Sequence, residues 1–256
     1  MKNSLKICKY QLSKSLKVIG IYYGIICVLL MVLVILDRTS NFTIFNQLYS
    51  EYYTIILLFI LGLGAIKKSF NFAQGNNVSR KSYYKGVILH IFRISALLPP
   101  IEIIINRIYN LYIYNPMIFD RLYDENVKYR VGYSRDIIVS CIPSLDNSVS
   151  GLVSNYLFLF SSFLFILIIG FLISIIMYKL KGVSRVVFSI IIGFIFINRY
   201  FTADILPADL INYLLKIDIS KSYNAVITNL VISIIIIVCG YLLLRRTDAT
   251  GYKTNG

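Results

Sequence analysis

There is no tryptophan in this sequence, only one histidine (His90), and just twelve Asp and Glu among 256 residues. One imidazole, with no His-Glu-x-x-His, leaves no histidine-based metal site. Cys8, Cys27, Cys141 and Cys239 include no Cys-x-x-Cys pair, so a structural zinc site is unsupported. The absence of Gly-x-x-x-x-Gly-Lys-Ser/Thr excludes an ATP-binding P-loop in this chain. Gly-x-Ser-x-Gly is missing too, and no apolar run carries paired carboxylates. An enzyme embedded in a membrane needs several polar groups at one depth. The chain is therefore not expected to be an enzyme by itself.

Charge is scarce: 15% of residues are Asp, Glu, Lys or Arg, against about 25% in ordinary soluble domains. Hydrophobic residues make up 57%, and they come in long blocks rather than at amphipathic spacing. Blocks of about 17–25 apolar residues match the thickness of a bilayer core when helical. Helix is the expected form, because lipid offers no partner for backbone groups. Six spans are expected, at Val18–Leu36, Tyr52–Ile66, Val87–Ile105, Leu157–Tyr178, Val186–Asn198 and Val226–Leu244. The first is read as a retained helix, since its apolar run is too long for a signal peptide. Residues 1–17 repeat Leu5, Cys8, Leu12, Leu16 and Ile19 at helical spacing among lysines, the pattern of a helix lying on a membrane surface. The fold class expected is an all-α integral membrane protein forming one transmembrane domain over 1–256.

The charges divide by side. The N-terminal segment, the second and fourth connections and the tail together hold sixteen basic residues and one acid, Asp248. The opposite side holds nine basic residues and ten acids. Lys and Arg gather on cytoplasmic loops, which puts both termini inside the cell and requires an even number of spans. The net charge of +14 is thereby accounted for by sidedness and contact with anionic lipid, and not by nucleic acid. Cys141 is the lone thiol on the outer side, so no intramolecular disulfide can form there.

The connection Ser69–Gly86, "SFNFAQGNNVSRKSYYKG", has more internal order than a span connection needs. Gln74–Asn77 is turn chemistry, since Gly and Asn accept left-handed backbone angles. Ser79 is placed to cap a short helix over Arg80–Lys85. Beyond it, His90 and Arg93 share one face of the third span, and Glu102 follows Pro99 and Pro100, which should kink the helix. Ionisable groups inside a span are functional candidates by default, so His90, Arg93 and Glu102 are candidate translocation-pathway residues, with Glu102 also able to reach water or Arg107. The outer loop over about 106–155 balances its charges and carries six tyrosines (Tyr109, Tyr112, Tyr114, Tyr123, Tyr129 and Tyr133), which read first as an interfacial belt. Within it, the third helix should run on beyond the membrane, and "NVKYRVGY" reads as a strand-like or hairpin element. An amphipathic outer helix is expected after Pro207. Ser161, Ser162, Gly170 and Ser174 in the fourth span would allow close helix packing.

The layout, and the segment "FAQGNNVSRKSYYKG", resemble the type-2 permease subunits of ATP-binding-cassette exporters of the small Gram-positive bacterial kind. Phe72, Ser79, Arg80 and Lys81 match a Phe-x-x-x-Gly-x-Ser-Arg-Lys pattern, with Asn77 where that family often has Gly. The resemblance implies a cell-membrane protein that pairs with a second permease chain, identical or not. It also implies two copies of a separate ATPase that would bind ATP and Mg, with no cofactor in this chain. Phe72, Ser79, Arg80, Lys81, Tyr83 and Tyr84 would then couple to the ATPase, with Tyr83 or Tyr84 as buried anchor in its groove. The cargo implied is an amphipathic peptide, an antibiotic or another hydrophobic molecule. The competing reading is a non-transporting immunity or sensor protein that binds a peptide or antimicrobial through its outer loop.

Overall fold

A computed structural model describes residues 2–39, 50–123, 145, 147–180 and 222–245. Every regular element among them is helical. They are α1 (Lys2–Thr39), α2 (Ser50–Leu63), α3 (Lys67–Gly75), α4 (Arg80–Tyr109), α5 (Ile118–Tyr123), α6 (Val149–Lys179) and α7 (Ser222–Arg245). Four are long and apolar enough to cross a membrane: Asn3–Thr39 within α1, then α4, α6 and Tyr223–Arg245 within α7. α2 is apolar but shorter. The expected span Val186–Asn198, the segment "NVKYRVGY" and the helix after Pro207 lie outside the described residues.

Two sequence expectations change form. The surface helix over 1–17 and the span Val18–Leu36 are one uninterrupted helix, α1, of 38 residues. At about 1.5 Å per residue it is ~57 Å long, nearly twice a bilayer core. No Pro falls between Ser15 and Leu36 and no Asn or Asp offers a competing turn, so nothing in the backbone breaks the helix where the polarity changes. Likewise the short helix Arg80–Lys85 is simply the first turns of α4, which continues to Tyr109 through Pro99 and Pro100. Pro100 cannot donate to the carbonyl of Ala96, and the hydroxyl of Tyr156 on α6 approaches that oxygen at 3.5 Å. An outside donor thus takes the acceptor that proline frees.

The helices run between two ends. At one end, the start of α1 packs on the start of α4. A Cβ on Gly86 would stand 2.7 Å from the carbonyl oxygen of Ser4, so only glycine fits that crossing. At the other end, the Arg38 guanidinium of α1 lies 5.7 Å from the ring centre of Tyr112, just past α4. α1 and α4 are therefore parallel. α2 returns beside them: its first turn reaches Glu102, and Ala65, just past its last residue, accepts from Tyr83. α2 crosses α6 at Gly62 and Gly170, where an added Cβ on either would stand 2.7 Å from a carbonyl oxygen of the other helix. In lipid no hydrophobic effect pulls helices together, and close backbone approach at small residues supplies the packing instead. α7 packs along α6, and its Gly240 sits under the Tyr84 hydroxyl. The core between these helices includes Leu58, Tyr83, Ile94, Phe163, Phe171 and Ile175.

Candidate functional site

The end where α4 begins is the basic end. α2 stops at Leu63, and a bend over Gly64–Ile66 leads directly into α3. The bend exposes the carbonyl of Ala65. It accepts the Tyr83 hydroxyl at 2.8 Å and the Gln11 amide at 3.2 Å, and the Ser69 hydroxyl also donates to it. Ser69 and Tyr83 bond each other at 2.8 Å. Side chains from α1, α3 and α4 thus close the gap that the bend opens in the helix ladder.

α3 ends as turn chemistry requires. Asn77 has φ 54°, its N–H reaches the Gln74 carbonyl at 3.0 Å, and the Val78 N–H reaches Ala73 at 2.9 Å. That pair of bonds is a Schellman closure, with Asn in the place usually given to Gly. Ser79 follows at φ −61°, ψ 145°, and its hydroxyl accepts the Ser82 N–H at 3.2 Å. The capping role expected of Ser79 is realised, and α3–turn–α4 forms a helical hairpin at the basic end.

The residues expected to couple to a partner divide in two. Phe72 is 61% exposed and stacks on Tyr10 of α1 at 5.7 Å. Lys81 and Lys85 are exposed. Arg80 donates to the last carbonyl of α7, Arg245, at 2.9 Å, a cation set on a helix C-terminus. Tyr83 and Tyr84, by contrast, are buried within the chain. Tyr83 packs edge-on against Phe70, and Tyr84 donates to the Ile237 carbonyl of α7 at 2.5 Å. Their hydroxyls join α4 to its own neighbours, so neither ring is presented as an anchor for another chain. The sequence shows aromatics beside lysines; which side they face depends on α6 and α7, far along the chain.

The three candidate pathway residues all lie along α4 but do not meet. His90 is buried and shares a 3.2 Å hydrogen bond with the Ser15 hydroxyl. Arg93 is exposed, and its guanidinium reaches back to Cys8, toward the basic end, the behaviour of a snorkelling side chain. Glu102 is fully buried. It accepts Tyr23 of α1 at 2.8 Å, Ser50 of α2 at 2.9 Å, and the Thr54 hydroxyl. Tyr22 extends this network by bonding Thr54 at 2.8 Å. Arg107 is not its partner: three hydroxyls hold the Glu102 carboxyl.

Around Glu102 the far end carries a second polar cluster that the sequence does not reveal. Arg107 instead pairs with Asp120 of α5 at 3.2 Å. The Asn155 amide of α6 donates to the other Asp120 oxygen at 2.9 Å. Burial pushes the Asp120 carboxyl above its ordinary range, and Asn155 and Arg107 offset only part of that. Glu51, in the first turn of α2, is also buried and accepts the Ile118 N–H at 2.9 Å. Asn106 and Asn110 tie the segment between α4 and α5 in place, both donating to the Asn115 carbonyl at 3.0 and 2.9 Å. Glu51 and Asp120 look like ordinary loop-end charges in sequence; only the packing of α5 on α2, α4 and α6 buries them. No group of three or more His, Cys, Asp or Glu able to hold a metal occurs among the described residues.

No protein-family model, no curated protein and no solved structure matches this chain.

Proposed function

We propose that this chain is the membrane-spanning subunit of an ATP-driven exporter, seated in a bacterial cell membrane with both termini in the cytoplasm. The α3–turn–α4 hairpin is its docking element. The observation that carries this reading is the hairpin itself. A bend, a Schellman closure at Asn77 and a Ser79 cap build an ordered projection where a connection between spans needs only a few polar residues. Its exposed groups include Phe72, Lys81 and Lys85, an aromatic and two cations on one hairpin, which suits an acidic groove with an apolar floor. Rigidity supports the role: a hairpin tied to α1, α2 and α7 transmits a push where a loose loop absorbs it.

A separate ATPase, in two copies, binds ATP and Mg and pushes on the hairpin. A second permease chain completes the pathway, and the cargo is an amphipathic peptide, an antibiotic or another hydrophobic molecule. Six crossings are part of the reading. α6 and α7 both end at the basic end, beside Asn71 and Arg80, so they run in the same direction. A further crossing between them, assigned to Val186–Asn198, reconciles that with a single bilayer.

The test is purification of the tagged chain from its native membranes. An ATPase should accompany it in stoichiometric amount, and Phe72→Ala with Lys81→Ala should release the ATPase while the chain stays inserted. A chain that purifies without any ATPase contradicts the proposal and leaves the immunity or sensor reading in its place.

A further inference from the structure

The far end buries three acids, two of which, Glu102 and Asp120, act on the third, Glu51, and sets beside them one half-buried cation, Arg107. Glu51 is 1% exposed, Glu102 0% and Asp120 4%. Glu51 feels the charges of Glu102, Asp120 and Arg107 together. Three buried negative charges against one part-exposed positive charge is an arrangement that proteins relieve by neutralising a member.

The hydrogen bonds identify which one. Asp120 has an acceptor bond on each oxygen, from Arg107 and Asn155. Glu102 has the hydroxyls of Tyr23 and Thr54 on one oxygen and Ser50 on the other. Every oxygen of both thus accepts at least one hydrogen bond. Glu51 is different. Its Oε2 takes the Ile118 N–H, and its Oε1 is buried with no donor among the described residues. The Oδ1 of Asn155 is a second buried acceptor without a donor there. Glu51 Oε1 and Asn155 Oδ1 are thus buried acceptors that lack a donor among the described residues, and a buried oxygen without a donor is costly.

We propose that Glu51 is a proton-binding site, and that its proton holds α5 and the segment before it against the helix bundle. With the proton on Oε1, Glu51 is neutral and becomes a donor, and Ile118 can sit on its Oε2. Without the proton, a third buried negative charge faces Glu102 on α4 and Asp120 on α5, with Arg107 already engaged. α1 presents the phenols of Tyr22 and Tyr23, α2 itself presents Tyr52 and Tyr53, and α6 presents the amide of Asn155; none of these supplies a positive charge. The charge is relieved by α5 moving off Glu51 and letting water in. This inference does not depend on the exporter reading, since it concerns only this chain's own far end.

The experiment is infrared difference spectroscopy of the full chain in lipid nanodiscs, reading the carbonyl stretch of a protonated carboxylic acid as pH is raised from neutral. Wild type should show the band at neutral pH and lose it at higher pH, with faster amide exchange over 118–123 accompanying the loss. Glu51→Gln, which keeps the neutral shape, should lack the band, and its exchange over 118–123 should rise with pH only as base catalysis of amide exchange itself requires, without the extra acceleration of wild type. Asp120→Asn should keep the band, and Glu102→Gln, if it folds, should keep it too. A band that survives in Glu51→Gln, or the absence of any band in wild type at neutral pH, overturns the proposal. So does a band that disappears at constant pH when sodium is added, because the site would then be taking a metal cation in place of a proton.

Discussion

The two ends of this molecule treat charge in opposite ways. At the basic end, Lys81 and Lys85 point outward, Arg80 sits on a helix terminus, and the buried polar groups are neutral: Gln11, Ser69 and Tyr83 around one backbone carbonyl. At the far end, three carboxyls and a guanidinium are folded in among hydroxyls and amides. The first arrangement leaves an exposed surface whose cations add little to stability and remain available for recognition. The second makes the packing of α1, α2, α4 and α5 depend on the state of ionisable groups. One end is built to be touched, the other to be sensitive.

Substitutions should expose this contrast. Glu102→Ala strips three hydroxyls of their acceptor and should cost about 3 kcal/mol, read as a lowered unfolding transition in detergent. Lys81→Ala should stay within about 0.5 kcal/mol of wild type. If both cost the same, the contrast between the ends fails. Packing offers the next test. Gly62→Ala pushes a methyl into the Leu167 carbonyl and should cost about 2 kcal/mol. Gly20→Ala meets nothing within 4 Å and should stabilise by up to about 1 kcal/mol through helix propensity. Opposite signs in the same assay would locate the contact at the α2–α6 crossing and not at glycine in general.

Smaller effects sharpen the division at the basic end. Tyr83→Phe removes hydroxyl bonds to Ala65 and Ser69 and should cost about 1 kcal/mol. Phe72→Ala removes an exposed ring and should be nearly neutral for the isolated chain. Asn77→Gly should be neutral or slightly stabilising, whereas Asn77→Ala should cost about 1 kcal/mol, because φ 54° suits Gly and resists a β-carbon without a polar side chain.

Much of the helical frame can be read from residue order. The apolar runs of α4, α6 and α7 are long, and Ser79 and Asn77 carry local signals that need no partner to be recognised. α3 is hidden because its sequence, "KKSFNFAQG", is only nine residues long and polar on average. It is held by Phe70 on Tyr83 and Tyr178, and by Asn71 accepting from Tyr178, 107 residues away. The continuity of α1 is missed for a different reason: a change in polarity at Val18 suggests two environments, but it does not break a backbone. The far-end cluster is the least legible part. Glu51 and Asp120 flank loops, where acids are commonplace, and their burial depends on α5, a six-residue helix too short to announce itself. Tyr83 and Tyr84 read as surface aromatics only as long as α3, for the first, and α7, for the second, are out of view.

The most direct test of the account is sidedness, measured in a cysteine-free background with a membrane-impermeant thiol reagent on intact cells. A cysteine at position 76, in the turn of the basic-end hairpin, should stay unlabelled until the cells are permeabilised. A cysteine at position 149, where Val149 is 80% exposed at the far end, should label at once. Labelling of position 76 in intact cells would put the hairpin outside, beyond the reach of any ATPase, and would contradict the proposed function directly.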